Sequence, residues 1–207
     1  MEDLRGAVTA AKQAPLRALM VRAEGKIFSG GADVRMFKGR TLAHARERVT
    51  SHLRTIADLE ELRCPTVAAV QGLCLAAGLE LALACDLIWA GASARFAQAE
   101  ASIGTTTLLG GVQRLAERAG PSRAREIIYE GETRAFAARL ANGPTLAYAA
   151  GRRIVRAYLD GSVRAADKVV DEVGPTLFES ADMKAGVTAL LDHGPRGFRD
   201  KVVFEGR

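Results

Sequence analysis

The segment Thr66-Val-Ala-Ala-Val-Gln-Gly-Leu-Cys-Leu-Ala-Ala-Gly-Leu-Glu-Leu-Ala-Leu-Ala-Cys-Asp86 joins a short apolar run to a longer one. The first run, Thr66–Val70, has the length and β-branched content of a buried strand, and Gln71-Gly72 closes it. The second run, Leu73–Cys85, predicts an apolar helix that Gly78 interrupts near its start. A buried strand followed by a helix is typical of folds in which helices connect parallel strands.

The same alternation of strand and helix extends to both sides of this segment. Leu16–Ala23 is short and apolar, as expected for a mostly buried strand, and Leu87–Ala90 predicts another strand. Between them, apolar residues recur every three or four positions and predict an amphipathic helix from Thr41 to Leu62. From Val112 onward the pattern is helix after helix. The sequence therefore predicts an α/β core followed by a helical C-terminal part.

Composition indicates an ordinary globular protein. The 207 residues are 48% hydrophobic and 26% charged, which excludes collagen, repeat arrays and wholesale disorder. Because no apolar stretch approaches the roughly 20 residues of a membrane span and the first residues do not resemble a signal peptide, we expect no membrane association and a cytoplasmic location. The net charge of +5 favours an anionic partner. The basic residues are scattered, so nucleic acid is not the partner we expect.

Cysteine, histidine and aromatic residues give no independent sign of a site. Cys64, Cys74 and Cys85 form no Cys-x-x-Cys pair and have no histidine at metal-ligand spacing, so we expect buried side chains and no metal. Trp89 and Tyr129 lie in apolar segments and are predicted to belong to the core. The histidines are predicted to be surface residues: His44, His52 and His193.

Two acidic residues are candidates for proton transfer. Glu80 is flanked by Leu79 and Leu81, so its carboxyl group should be desolvated and its pKa raised. Glu100 follows a predicted strand, and two carboxyl groups on separate elements can face one substrate from two sides. The alternatives are that Glu80 reaches solvent or an ion pair, and that Glu100 is an exposed loop acid.

Two loops rich in small residues can supply backbone N–H groups. Gly30 and Gly31 precede Ala32, and Ala77 with Gly78 opens the helix that carries Glu80. Unpaired N–H groups at such positions would stabilise a developing oxyanion at a carbonyl. The alternative is that these small residues only permit close packing.

Five segments, in this order and with these gaps, resemble the crotonase, or enoyl-CoA hydratase/isomerase, superfamily: Phe28–Asp33, Pro65–Gly72, Gly78–Asp86, Ala94–Glu100 and Gly110–Leu115. The resemblance runs essentially from Met1 to Arg207. It implies repeated ββα units followed by a helical C-terminal region that forms homotrimers or hexamers. Residues 1–132 would form the core and residues 133–207 the trimerisation region.

The resemblance also implies a role for each candidate. Ala32 and Ala77 would hold the oxygen of an acyl-CoA thioester through their N–H groups. Glu80 and Glu100 would position and activate water, with Glu100 exchanging the proton at the α carbon. Further substrate contacts are expected at Gly30, Asp33, Gly78 and Thr107. Coenzyme A would be part of the substrate, with no separate cofactor and no metal.

Having both acids favours hydration of a 2-enoyl-CoA or the reverse reaction. A same-fold isomerase or decarboxylase, and a catalytically silent scaffold or binding subunit, are the alternatives. The sequence departs from the family at Ala77, where glycine is usual, at Ala99, where proline is usual, and in the loop after Gly104. Compared with the family, the sequence begins at Met1 within the first helix, so we expect the N-terminal strands to be missing from it, and a second gap follows Glu132.

Overall fold

The computed structural model describes residues 1–130, 144–198 and 201–206. The strands of this part are β1 Leu19–Arg22, β2 Thr66–Val70, β3 Leu73–Leu75, β4 Leu87–Ala90 and β5 Arg95–Ala97. The α-helices are α1 Glu2–Gln13, α2 Leu42–Glu60, α3 Ala77–Leu83, α4 Gly111–Ala119, α5 Pro121–Glu130, α6 Thr145–Asp160, α7 Val163–Val173 and α8 Ala181–Gly197, the last kinked at Gly194. Short 3-10 turns span Val34–Phe37, Glu100–Ile103 and Pro175–Glu179.

The strands form two small parallel sheets. One has the order β1-β2-β4, and the other pairs β3 with β5. An isolated bridge from Ser29 to Cys74 adds the segment after β1 to the second sheet. The chain therefore passes from the first sheet to the second and then into a helix. It does so once through β2, β3 and α3, and again through β4, β5 and the helical segments that follow them. This confirms the predicted ββα architecture, with helices following from α4 onward.

Several predicted elements are confirmed with small changes at their ends. Strands β2 and β4 have the predicted bounds, and the helix predicted from Thr41 to Leu62 is α2. Thr41 caps this helix, since its hydroxyl oxygen accepts a hydrogen bond from the His44 N–H. The inward residues Val49, Ile56 and Leu59 are buried in the core. All three cysteines are buried, as expected.

The prediction of one helix over Leu73–Cys85 is wrong. Leu73–Leu75 is strand β3, paired with Arg95–Ala97, and the helix begins only at Ala77. Apolar periodicity cannot separate a short buried strand from a buried helix, and here pairing with a distant strand decides. Ala76, between strand and helix, has a φ of +51°. This tight turn brings the helix start beside the loop that follows β1.

The prediction that Trp89 lies in the core is also wrong, because its side chain is 76% exposed. Strand residues alternate between faces, and Trp89 lies on the same face of the three-stranded sheet as Met20 and Leu87, which are 58% and 61% exposed. Ile88 lies on the opposite face and packs against the core. The helices of the described residues cover that opposite face and leave the face of Trp89 exposed. Tyr129, by contrast, packs against the core as predicted.

The predicted gap after Glu132 lies outside the described residues. On its far side, helix α6 packs against α4, α5 and α7. Among the helices of the described residues, none is both long and apolar enough to span a bilayer.

Candidate active site

Glu80 lies in the first turn of α3 and is only 1% exposed. Its Oε1 accepts hydrogen bonds from the N–H groups of Leu109 and Gly111, both at 2.8 Å. Burial raises the pKa of this carboxyl to about 7, since desolvation outweighs these N–H groups and the nearby positive charge of Arg114. The sequence prediction of a desolvated acid is confirmed. At this pKa, Glu80 can exchange a proton near neutral pH.

Arg114 holds the loop that contacts Glu80. This arginine is 2% exposed and donates to the carbonyl oxygens of Leu109 and Gly110 at 3.1 and 3.0 Å. It also forms a bidentate pair with Glu60, both contacts at 2.6 Å, and lies 3.6 Å from Asp167. Of the two peptide groups that donate to Glu80, the one between Gly110 and Gly111 is thus also held at its carbonyl oxygen. Sequence reasoning quoted this arginine within a motif but gave it no role.

Glu100 begins the 3-10 turn after β5 and is partly exposed. Desolvation and the negative charge of Glu80 raise its pKa well above the usual value. The buried Gln98, with its amide nitrogen toward Glu100, donates to both carboxyl oxygens at 2.7 and 3.1 Å. Gln98 therefore fixes the orientation of this second acid. Sequence reasoning missed its role, although Gln98 precedes Glu100 by only two positions.

Gly111 shows how closely the two acids approach each other. A Cβ at this position would lie 2.7 Å from the amide of Gln98 and 3.1 Å from Oε1 of Glu80. Gln98 itself contacts Glu100. Only glycine leaves room for these polar side chains beside the start of α4. The two carboxyl groups therefore lie on either side of Gln98 and Gly111 in one site, where the negative charge of Glu80 raises the pKa of Glu100.

The two loops with small residues also meet. A Cβ at Gly31 would lie 3.4 Å from the nitrogen of Ala77, and one at Gly78 would lie 2.5 Å from the Cβ of Ser29. Within the described residues, the N–H groups of Ala32 and Ala77 have no hydrogen-bond acceptor. Two unpaired donors on adjoining loops and two acids with raised pKa values suit proton transfer on a carbonyl compound.

Comparison with known proteins identifies the family. The family model described as enoyl-CoA hydratase/isomerase matches residues 1–135. The chain belongs to that family. The crotonyl-CoA hydratase of Syntrophomonas wolfei is 29% identical over 228 aligned residues, which cover 96% of this chain and 87% of the relative. The mitochondrial enoyl-CoA hydratase of Pongo abelii is 26% identical over 209 aligned residues, which cover 89% of this chain and 71% of that relative.

A solved structure from the same family confirms the fold. The enoyl-CoA hydratase/isomerase of Xanthobacter autotrophicus Py2 superposes with a TM-score of 0.74 at 27% identity. The match covers 97% of this chain and 87% of that protein. The superfamily resemblance and the α/β fold predicted from sequence are therefore both confirmed.

The remaining candidates of this family member contact the protein itself. Asp33 caps the 3-10 turn through the N–H of Arg35 at 3.0 Å and pairs with the guanidinium of the same arginine. This pairing lowers the pKa of Asp33. Thr107 is buried, and its hydroxyl accepts a hydrogen bond from the Val112 N–H at 3.2 Å, which anchors the start of α4. Gly30 is exposed with open space around it. Direct substrate contacts by these residues stay predictions.

Metal chemistry has no candidate ligand set in the described part of the chain. Residues 1–130, 144–198 and 201–206 contain no group of three or more histidine, cysteine, aspartate or glutamate side chains that could hold an ion. The acids at positions 80 and 100 instead have backbone N–H groups and one glutamine as their hydrogen-bond partners.

Proposed function

We propose that this protein adds water to the C2–C3 double bond of a 2-enoyl-CoA thioester, or removes it in the reverse direction. One observation carries the proposal: Glu80 and Glu100 share one site, and both have raised pKa values. The names of two relatives, a crotonyl-CoA hydratase and an enoyl-CoA hydratase, support this class of reaction. Coenzyme A enters as part of the substrate.

The N–H groups of Ala32 and Ala77 would bind the thioester oxygen. Their role follows from the adjoining loops and from the absence of any other acceptor for them in the described residues. As hydroxide adds to C3, negative charge moves onto this oxygen and an enolate develops. Each preorganised donor in such an arrangement contributes about 3–4 kcal/mol to stabilisation of the transition state.

The environments of the two acids divide the proton transfers between them. Two backbone N–H groups and Arg114 favour the charged form of Glu80, whereas the charge of Glu80 favours the protonated form of Glu100. Glu80 then takes a proton from water while the new hydroxyl group bonds to C3. Glu100 gives its proton to C2, and the C2–C3 double bond becomes single. Transfer of the proton from Glu80 back to Glu100 restores the pair.

Steady-state hydration of crotonyl-CoA, followed by loss of the conjugated enoyl absorbance, tests this proposal. Glu80→Gln and Glu100→Gln should each lower kcat by about 10³-fold, since each removes a proton-transfer group. Glu117→Gln is the control, because Glu117 lies on the exposed end of α4. Absence of turnover by the unaltered protein, or full activity of either site variant, would contradict hydration. Formation of a 3-enoyl product instead would show an isomerase.

We also propose that the protein acts in the cytoplasm as a homotrimer or hexamer. The family resemblance supports the assembly, and the single chain supports it through the apolar sheet face that contains Met20, Leu87 and Trp89. Sedimentation equilibrium of the purified protein tests the assembly, and a mass equal to one chain at all concentrations would contradict it.

A further inference from the structure

A small cavity of about 50 Å³ lies beside the candidate active site. Its inner wall is apolar and includes Phe37, Leu108 and Phe178, with the two phenylalanine rings packed edge to face at 5.5 Å. Its outer rim is basic and includes Arg40 and Arg48. An apolar wall that ends in a basic rim is the pattern expected for a short carbon chain with a terminal anion.

Two connections join this cavity to the site. The Leu108 side chain lines the cavity, while its backbone N–H interacts with the carboxylate of Glu80. Phe37 ends the 3-10 turn that begins directly after Ala32 and Asp33. The cavity is therefore bounded on one side by the loop that contacts the catalytic acid and on the other by the continuation of the oxyanion loop.

No described acidic residue neutralises the positive charge at the rim. None of the described residues that line the cavity is acidic. Arg48 forms no ion pair or hydrogen bond with the described part of the chain, and Arg40 uses only its Nε, which donates to the Met36 carbonyl oxygen at 2.9 Å. Burial and the charge of Arg48 lower the pKa of His52, so this histidine adds a neutral hydrogen-bonding group.

Three other arginines of the described chain, in contrast, have acidic partners. Arg114 pairs with Glu60, Arg153 with Glu172, and Arg164 with Glu61. These arginines are satisfied within the protein. Two arginines that converge on one cavity without an acidic partner leave a site for an external anion.

We propose that the acyl group of the substrate carries a terminal carboxylate one methylene beyond C3, so that the substrate is the 2-enoyl thioester of a short dicarboxylic acid. The inference rests on the proposed hydration. A water needs about 10–15 Å³ of such space, so the cavity of about 50 Å³ holds about four non-hydrogen atoms. A carboxymethyl group has that many. The guanidinium groups of Arg40 and Arg48 would bind its carboxylate.

The 4-carboxybut-2-enoyl and crotonyl thioesters of coenzyme A test this inference, because they differ only by the terminal carboxylate. We expect the unaltered protein to have a kcat/KM at least tenfold higher for the carboxylated substrate. Arg48→Gln should lower the ratio of the two kcat/KM values about tenfold, and Arg48→Glu should lower it further. Arg46→Gln is the matched control, since Arg46 lies on the same helix but does not line this cavity. This control should leave the ratio unchanged.

The phosphates of coenzyme A are the other anions that these arginines could bind. The same two acyl groups on N-acetylcysteamine, which lacks phosphate, separate the two sources. A carboxylate site predicts the same tenfold fall in the ratio with Arg48→Gln on these short thioesters. The inference would be overturned if Arg48→Gln lowered kcat/KM equally for both coenzyme A substrates and had no effect on either N-acetylcysteamine thioester. Turnover of crotonyl-CoA without preference for the carboxylated substrate would also overturn it, while leaving hydration intact. No turnover of any thioester would contradict the hydration itself.

Discussion

Glu80 and Trp89 are nine positions apart and have environments opposite to what their side chains favour. The glutamate is 1% exposed, and the tryptophan is 76% exposed. In most proteins a carboxylate lies in water and an indole is largely buried. The difference follows from the layers of the fold. Helix α3 packs against strands of both sheets and against α4, whereas none of the described helices covers the outer face of β4.

Burial of the acid is tolerated because backbone groups around it satisfy its hydrogen-bonding capacity. Two N–H groups bind Glu80, and Arg114 binds the carbonyl oxygens of the same loop. The tryptophan has no such set of partners within the described residues. The comparison indicates that burying Glu80 lowers the stability of the core, and that the surrounding hydrogen bonds offset this cost. The exposed sheet face contributes little to the stability of the single chain.

The largest expected effect is therefore on the buried side, at Arg114. Arg114→Met removes the bidentate pair with Glu60 and leaves two loop carbonyl groups without a donor. Because leaving a buried carbonyl group without a donor costs about 1–3 kcal/mol, we expect the two together to lower the free energy of unfolding by about 2–6 kcal/mol. Urea denaturation should show this fall in the free energy of unfolding.

The matched control for this variant is Arg153→Met, since Arg153 and Glu172 form an ion pair at the surface. Exposed pairs contribute only about 0–1 kcal/mol. Equal losses for the two variants would show that the network around Arg114 is no more important to the fold than a surface pair, and the proposed contrast between the two regions would fail.

A somewhat smaller effect concerns pH. Because the pKa of Glu80 is about 7 in the folded protein and its ordinary value is 4.5, its contribution to stability is complete below pH 4.5 and is lost as pH rises through 7. Glu80→Gln has no such loss, so the variant should gain stability relative to the unaltered protein between pH 5 and 8. At about 1.4 kcal/mol for each pKa unit, the gain is about 3 kcal/mol.

Urea denaturation of both proteins at several pH values measures this gain. Glu117→Gln provides the control, because an exposed carboxyl should leave the difference in unfolding free energy small at every pH. A constant difference between Glu80→Gln and the unaltered protein across this range would show that burial does not raise the pKa of Glu80. The proposed division of proton transfers between the two acids would then lose its basis.

Local sequence pattern predicted the elements whose burial follows their own periodicity. Strands β2 and β4, helix α2 and the desolvated Glu80 are all confirmed. Strand β3 was missed because its pairing with β5, about 20 positions later, overrides the apolar run that suggested a helix. Trp89 was misplaced for a related reason: an apolar strand does not reveal which of its faces the helices cover.

The candidate site shows the same limit. Glu100 was found by its place after a strand, but its partner Gln98 and the clamp formed by Arg114 depend on contacts between distant segments. Arg114 reaches Glu60, which is 54 positions away. No local pattern distinguishes such an arginine from a solvated one on an amphipathic helix.

The smallest expected effect is at Trp89. It tests whether the exposed sheet face is covered by another copy of the chain. In a single chain, Trp89→Ser should change the free energy of unfolding by no more than about 0.5 kcal/mol, as at other exposed positions. Ile88→Ala on the same strand should cost more, since Ile88 packs against the core. If the protein is a trimer or hexamer that covers this face, the loss from Trp89→Ser should instead grow with protein concentration. Equal and concentration-independent losses at both positions would contradict the contrast drawn between the buried acid and the exposed indole.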